Sequence, residues 1–174
     1  MPSTVAAPVI RFAIEPADFD AFGGVCRVYV EWCRRGYGDM PWFVEEVFGH
    51  QSLDEELRNL GLQYGPPAGR TIIAITDKGV VGGGAWRKHS ETACELKRLY
   101  VTEDARGLGL GRRLCEALID SASAEGFETI QLDTADRLTE AIAMYASMGF
   151  APIAPYRDYP ERLMLHLIFM AKTL

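Results

Sequence analysis

The stretch of residues 95–118, ELKRLYVTEDARGLGLGRRLCEAL, constrains the fold more than any other part of the chain. It begins with strand-forming residues as far as Val101 and continues through turn-forming residues 102–104. A glycine-rich segment, residues 106–111, then opens a helix whose apolar residues recur at helical spacing: Leu110, Leu114, Ala117, Leu118 and Ala122. The pattern predicts a strand, a turn, a glycine loop and a helix in direct succession.

The start of this helix is suited to binding phosphate. A helix N-terminus has free backbone N–H groups and a partial positive charge, which both favour an anion. Glycines allow the backbone to approach a ligand closely, and Arg112 and Arg113 add positive charge. We therefore predict a phosphate-bearing cofactor at residues 107–113, the alternative being a glycine-rich turn without a ligand.

Two familiar phosphate-binding motifs do not fit this loop. A P-loop requires Lys-Ser or Lys-Thr after its last glycine, and no such pair follows a glycine here. The dinucleotide fingerprint Gly-x-Gly-x-x-Gly fails because its third glycine falls on Arg112 or on Leu114. The observed spacing is Gly-x-Gly-x-Gly after an arginine.

The strand before the loop changes the phase of its alternation. Cys94 and Leu96 share one face, whereas Leu99 and Val101 share a face in the opposite phase, so the slip falls at residues 97–98. A change of phase within one strand indicates a β-bulge, a feature common near functional sites. The alternative is a strand covered on both faces, for which phase has little meaning.

Two motifs give the chain a resemblance to the GNAT superfamily of acyl-CoA N-acyltransferases. The family's Arg/Gln-x-x-Gly-x-Gly/Ala motif is matched by Arg106, Gly109 and Gly111, and its later alanine, Leu-Tyr-like and Gly-Phe signature is matched within residues 141–150. The motifs cover residues 93–151, and the order of elements extends the resemblance over nearly the whole chain. It implies one domain over residues 1–174, of mixed α/β class. Its central sheet would be mostly antiparallel, with a parallel pair around the cofactor loop and flanking helices.

The resemblance also implies that the chain uses acetyl-CoA as cosubstrate and no metal. Backbone groups of Leu99 and Val101 would pair with the pantetheine arm, a backbone N–H near Leu99 would serve the oxyanion, and Arg106 would anchor the loop. The positions assigned to the cofactor are Leu99, Tyr100, Val101, Arg106, Gly107, Leu108, Gly109, Leu110, Gly111, Arg112, Arg113 and Thr139. One departure is Leu138, where many relatives carry an asparagine that contacts CoA; Thr139 is the nearest substitute.

Two residues match positions at which relatives carry catalytic groups. Glu95 corresponds to the catalytic glutamate of histone-acetylating relatives and is expected to act as general base, through water. Its alternative is an exposed carboxylate or a partner for Lys97 or Arg98. Tyr145 matches the tyrosine of the later motif and is expected to be the general acid, because phenol is protonated at neutral pH; its alternative is a core aromatic.

The acceptor is expected to be a small-molecule or peptide amine. Candidate contacts are Tyr37, Trp42, Arg98 and Tyr156, with Tyr159 nearby. Acidic Asp39, Glu45 and Glu46 favour a cationic amine, although surface acids are usually only solvated. Besides the enzyme, two other functions fit the loop: an acyl-CoA sensor without turnover and a nucleotide-binding regulator.

Composition narrows the class of protein. The chain has 174 residues and a net charge of −6, which argues against a nucleic-acid partner. The N-terminal sequence MPSTVAAPVIRF has neither the basic region nor the apolar run of a signal peptide, and no stretch approaches a membrane span. Four cysteines without metal-ligand spacing indicate reduced, buried thiols. We expect a cytoplasmic protein without membrane partners; a homodimer is common in the resembled family.

Elsewhere the pattern predicts a helix from residue 16 to about 35, capped by Asp18, and an irregular connection over residues 36–51. A capping box at residues 52–55 predicts a helix to about Leu60. Strands are predicted at 71–76, 80–87, 93–101 and 129–134, a helix at 138–148 and a last strand at 163–171.

Overall fold

A seven-stranded sheet in the order β1-β2-β3-β4-β5-β7-β6 forms the centre of the computed structural model, which describes residues 7–174. The strands are β1 Val9–Phe12, β2 Gly69–Thr76, β3 Gly79–Lys88, β4 Ala93–Val101, β5 Thr129–Ala135, β6 Ala151–Pro152 and β7 Leu167–Thr173. Among the described strands, only β4 and β5 pair in parallel; the other neighbouring strands are antiparallel. The predicted mixed sheet with one parallel pair is confirmed. Residues 1–6, the first half of the segment that bears on a signal peptide, lie outside the described residues.

Helices cover both faces of the sheet. They are α1 Pro16–Gly36, α2 Pro41–His50, α3 Leu53–Arg58, α4 Leu60–Tyr64, α5 Leu110–Ala124, α6 Thr139–Ser147 and α7 Glu161–Met164. On one face, buried Leu110, Leu114 and Leu118 of α5 pack in a core with the strands and with α6. On the other face, Phe22 and Cys26 of α1 pack against β2 and β3. All four cysteines lie among the described residues as free, buried thiols.

The predicted bulge in β4 is present. The register of β3 against β4 shifts between Gly83 and Ala85, and Arg98 has a positive φ of 59°. Gly84 lies opposite this irregularity: a Cβ on it would come within 3.0 Å of Leu99 Cδ1 and 3.3 Å of Leu99 Cα. The glycine run of β3 therefore leaves room for the bulge.

Four local predictions were wrong. Residues 36–51 are not irregular, because Pro41 takes the first helical position, where its fixed φ is favourable, and α2 follows. Ser52 forms no capping box; its φ is 54° and its side chain makes no cap hydrogen bond. Asp18 is the third residue of α1 rather than its cap, although its carboxylate accepts hydrogen bonds from the N–H groups of Ile14 and Glu15. The last strand begins at Leu167, after the short helix α7.

The sheet opens between its two parallel strands. β4 and β5 pair only where Ala93–Glu95 face Thr129–Gln131, and β4 then continues to Val101 without a ladder partner on that side among the described residues. β5 instead stays paired with β7 along its whole length. This separation creates a space in the middle of the sheet, directly before the glycine loop.

Candidate functional site

A cavity of about 770 Å³ occupies the space where β4 and β5 separate. The glycine loop and the start of α5 form one part of its wall, and α6 forms another. Residues of α1 and α2 line the opposite part, while β4 and β5 form its floor. The cavity thus joins the predicted cofactor loop to the region predicted to receive the acceptor.

The glycine loop has the backbone that its sequence suggested. Gly107 and Gly109 have φ of 80° and 69°, values that residues with a Cβ rarely adopt. No heavy atom outside their chain neighbours lies within 4 Å of the place where a Cβ would be on either glycine. Gly109 is the N-cap of the 15-residue helix α5. An open cradle of backbone in front of a helix N-terminus is suited to a phosphate group.

Three arginines surround this loop in different ways. Arg106 lies over two aromatic rings, with its Cζ 4.8 Å from the Trp32 ring centre and 5.5 Å from that of Tyr100. Arg112 lines the cavity and donates a hydrogen bond to Ser147 Oγ. Arg113 instead donates to the carbonyl of Pro8 at 3.3 Å and is not among the cavity residues.

Most of the other positions assigned to the cofactor also line the cavity. They are Leu99, Tyr100, Val101, Leu110, Gly111 and Thr139, together with Leu138 at the departure from the family pattern. Leu108 does not line it and is 56% exposed.

Tyr145 lies in the wall of the cavity. It is 6% exposed and packs against Phe150, with 5.5 Å between ring centres. Its hydroxyl makes no side-chain hydrogen bond to any other described residue. Burial, with a smaller contribution from Cys115, raises the pKa of Tyr145 above the ordinary value of 10. The phenol therefore keeps its proton at neutral pH and has that proton free to donate.

Glu95 lies in a different environment from the one expected for a base. It is 1% exposed and is not among the residues that line the cavity. Arg157 Nη2 donates to both of its oxygens at 2.8 and 2.7 Å, and Arg87 Nε donates to Oε2 at 3.1 Å. Burial alone raises the pKa of Glu95, but the surrounding positive charges outweigh burial and hold this pKa below its ordinary value of 4.5. The expected water-mediated base is thus a buried, ion-paired carboxylate.

The Lys97–Asp133 pair on the floor of the cavity was not predicted from the sequence. Both side chains line the cavity and are nearly buried, at 3% and 4% exposure, with 3.9 Å between Lys97 Nζ and Asp133 Oδ1. The Glu95 carboxylate is 3.6 Å from Lys97 Nζ on the other side, and Tyr159 donates a 2.5 Å hydrogen bond to Asp133 Oδ2. Burial, only partly offset by the carboxylates, lowers the pKa of Lys97.

Of the four residues predicted to contact the acceptor, two line the cavity and two lie outside it. Tyr37 and Arg98 line the cavity. Trp42 lies outside it and packs under Arg162, with 4.7 Å from Cζ to the ring centre. Tyr156 also lies outside and donates a 3.2 Å hydrogen bond to Glu95. Arg98 is itself held by Glu56, with Nε–Oε1 and Nη2–Oε2 distances of 2.7 and 3.1 Å.

Together, the split sheet and the loop-lined cavity define a mixed α/β ligand-binding domain whose ligand would reach the middle of the sheet. A family model described as the acetyltransferase (GNAT) family matches residues 28–150. An uncharacterized N-acetyltransferase of Schizosaccharomyces pombe is 37% identical over 161 residues, which cover 91% of this chain and 90% of that protein. The chain therefore belongs to the acetyltransferase (GNAT) family.

Solved structures share the fold at lower identity. An acetyltransferase from Streptococcus agalactiae superposes with a TM-score of 0.74 at 20% identity, covering 97% of this chain and 99% of that one. The PaiA N-acetyltransferase from Thermoplasma acidophilum, solved in complex with coenzyme A, gives 0.69 at 16% identity, covering 97% and 100%. Among residues 7–174, no helix is long and apolar enough to cross a membrane, and no group of three or more His, Cys, Asp or Glu could hold a metal ion.

Proposed function

We propose that the protein transfers an acetyl group from acetyl-CoA directly to an amine. The observation that carries the proposal is the open glycine cradle before α5, which leads into the same cavity as the protonated phenol of Tyr145. The coenzyme A complex of the structurally similar PaiA protein supports the choice of cosubstrate. Cytoplasmic location, the absence of nucleic-acid, membrane and metal partners, and a homodimer stay predictions from the sequence.

The residues of this chain fit a phosphopantetheine cosubstrate along its length. The N–H groups at the start of α5, with Arg112, are suited to the pyrophosphate. The side of β4 that faces the split has backbone groups free of ladder pairing after Glu95, among the described strands. An extended amide-containing arm can add to such an edge as an extra strand does. The thioester would then lie near the bulge at Arg98 and Leu99.

Acetyl transfer has three requirements that these residues can meet. The amine must lose a proton, the tetrahedral oxyanion must be stabilised, and the departing thiolate must gain a proton. The backbone N–H near Leu99 is the proposed oxyanion donor, since the bulge turns it out of the regular ladder. Tyr145 is the proposed general acid, because its proton is retained at neutral pH and its hydroxyl has no competing side-chain partner in the described chain.

For the general base, the structure supports a different residue from the one that the sequence suggested. Glu95 remains the candidate by resemblance, but its two arginine partners and its position outside the cavity leave it no lone pair directed at an acceptor. Asp133 is a carboxylate that does line the cavity. We therefore assign proton acceptance to Asp133 and a positioning role to Glu95, which holds Lys97 near Asp133.

A matched pair of carboxylate-to-amide variants tests this assignment. Asp133→Asn is expected to lower kcat by about 100-fold or more, in the range for loss of a general base, with acetyl-CoA affinity retained. Glu95→Gln is expected to reduce the free energy of unfolding and to lower kcat less than Asp133→Asn does. Thiol release from acetyl-CoA with a saturating amine measures kcat. A larger loss of kcat in folded Glu95→Gln than in Asp133→Asn would return the role of base to Glu95.

The alternative function is an acyl-CoA sensor without turnover, which would bind its ligand at the same glycine loop. The polar floor of Lys97 and Asp133, placed inside the cavity, favours the enzyme, because a sensor needs no buried ionisable pair beside the thioester. Acetyl-CoA binding without thiol release across a broad amine panel would favour the sensor. Competition by ATP for the same site would instead favour the nucleotide-binding regulator.

A further inference from the structure

The part of the cavity wall that α1 and α2 contribute is mostly apolar, with Trp32 lying under Arg106 of the cofactor loop and Phe48 under Arg98. We name it the apolar arm and define it by residues of α1 and α2 that line the cavity: Tyr29, Trp32, Phe43, Val44, Val47 and Phe48. Four of the six are aromatic, and the rings of Tyr29 and Phe48 meet edge to face at 6.0 Å. Binding of an apolar group to such a surface is favourable, because it removes apolar area from water.

The polar groups at the border of the apolar arm already have partners. Gln51 accepts a hydrogen bond from Arg98 at 2.8 Å and donates one to Tyr159 at 3.0 Å. The Tyr37 hydroxyl donates to Asp136 at 3.1 Å and accepts from the backbone N–H of Arg137 at 3.2 Å. The arm therefore offers little hydrogen bonding to the body of an acceptor, and its polar end is the Lys97–Asp133 pair.

The acidic residues that had favoured a cationic acceptor are neutralised elsewhere. Glu45 accepts from Arg34 at 2.8 Å, Glu46 accepts from Arg162 at 2.8 Å, and Asp39 forms a two-point pair with Arg137 at 2.6 and 3.0 Å. None of these three carboxylates lines the cavity in the described structure.

The charges inside the cavity also disfavour a polycation. Five cationic side chains line it, against the carboxylates of Asp133 and Glu140; the cations are Lys97, Arg98, Arg106, Arg112 and Arg137. Arg98 and Arg137 are paired with Glu56 and Asp39, which leaves Arg106 and Arg112 at the loop and Lys97 beside Asp133. A ligand with several positive charges would find only two lining carboxylates and would face Arg106 and Arg112, whereas a single amine could still approach Asp133.

From these observations we propose that the acceptor is a small primary amine with one positive charge and an apolar alkyl or aromatic body. The body occupies the apolar arm, and the amine points to the Lys97–Asp133 end. This inference rests on the proposed acetyl transfer and adds the class of acceptor to it. Polyamines and lysine-rich peptides are the acceptors that it excludes.

A series of straight-chain alkylamines, from propylamine to heptylamine, tests the inference directly. Each added methylene that enters the arm should raise kcat/KM about fourfold until the arm is full. Phenylethylamine should exceed spermidine and a lysine-containing peptide in kcat/KM by at least about tenfold. The advantage should persist at high salt, since burial of apolar surface is not screened as ion pairing is.

Two phenylalanine truncations locate the effect. Phe48→Ala removes a ring of the arm and should flatten the rise of kcat/KM with chain length. Phe127→Ala is the matched control: Phe127 is also partly buried, but it packs on Trp86, at 5.2 Å between ring centres, in the core under α5, and it does not line the cavity. The control should keep the chain-length dependence of the wild type.

Calorimetric titration with acetyl-CoA separates failure of the inference from failure of the proposed function. If acetyl-CoA binds and kcat/KM is independent of chain length, or spermidine or the peptide is preferred, the inference about the acceptor is overturned and acetyl transfer stands. If acetyl-CoA binds and no alkyl or aryl amine is acetylated, the inference is likewise overturned. If acetyl-CoA does not bind, the proposed function itself fails, and the inference with it.

Discussion

Replacing Glu56 by glutamine should destabilise the protein strongly, because it breaks a buried ion pair from one side. Glu56 and Arg98 are each 4% exposed at their side chains and are joined by two hydrogen bonds of 2.7 and 3.1 Å. Arg98 is the bulge residue of β4, so the pair ties the bulge to α3. The variant leaves the guanidinium buried without a counter-charge.

The expected size of the effect follows from this burial. Removing one partner of a buried pair costs about 3–5 kcal/mol. Glutamine keeps one acceptor oxygen, and Gln51 continues to accept from Arg98 at 2.8 Å, so we expect the lower end, about 3 kcal/mol. For a chain of this length that corresponds to a fall in Tm of roughly 6–12 °C.

The pH dependence gives the prediction a second measurable consequence. Burial alone raises the pKa of Glu56, but Arg98 outweighs burial, and the pKa lies below the ordinary value of 4.5. A carboxylate with a lowered pKa contributes stability that is complete above its unfolded-state pKa and is lost as the pH falls through its folded-state pKa. The difference in unfolding free energy between wild type and variant should therefore be constant above about pH 4.5 and shrink below it.

Urea unfolding followed by tryptophan fluorescence measures both consequences. The matched control is Glu103→Gln, the same chemical change at the Arg35–Glu103 pair, whose side chains are 64% and 54% exposed. Such an exposed pair contributes at most about 1 kcal/mol. A Glu56→Gln variant within 1 kcal/mol of wild type at pH 7, or a difference unchanged at pH 3, would refute the reasoning.

Three further predictions concern the site. Gly111→Val should abolish acetyl-CoA binding in calorimetry with a near-normal Tm, since its Cβ would meet only Met144 Sδ at 3.9 Å. The control Gly24→Val, in α1 with open space around its Cβ, should bind acetyl-CoA normally, and equal acetyl-CoA affinities of the two variants would contradict the loop assignment. Tyr145→Phe should lower kcat by about 100-fold with unchanged acetyl-CoA affinity; undiminished thiol release would remove Tyr145 from the mechanism. Gly84→Ala should cost about 2 kcal/mol in urea unfolding, because its Cβ would come within 2.8 Å of Leu118 Cδ1 and 3.0 Å of Leu99 Cδ1. A neutral change would contradict the tight packing of β3 against α5 and the bulge.

The sequence predicted the parts of the molecule whose pattern is local. The strand, bulge and loop around residues 97–111 follow from alternation, glycine spacing and helical periodicity, all carried by neighbouring residues. The helix α2 has a local signal too, since Pro41 lies in its first turn, where proline is favourable. The capping-box pattern at Ser52 failed because the chain turns sharply there, with a positive φ.

The chemistry of the site depends on contacts that no local pattern contains. Lys97 and Asp133 come together only because β4 and β5 separate after three paired residues and leave both side chains facing one space. The arginines that hold Glu95 come from β3 and from the loop before α7. Sequence reasoning could therefore find a glutamate at the right position in the strand, but not the ion pairs that occupy it.

Calorimetric titration of the purified protein with acetyl-CoA, with ATP and NAD as controls, tests the central claim most directly. We expect acetyl-CoA to bind with micromolar Kd and the two nucleotides to show no comparable binding, because the cavity continues from the glycine cradle to the floor of the split sheet. The same result would justify the amine series. Absence of acetyl-CoA binding, or equal binding of ATP, would contradict the assignment of the loop and with it the proposed acetyl transfer.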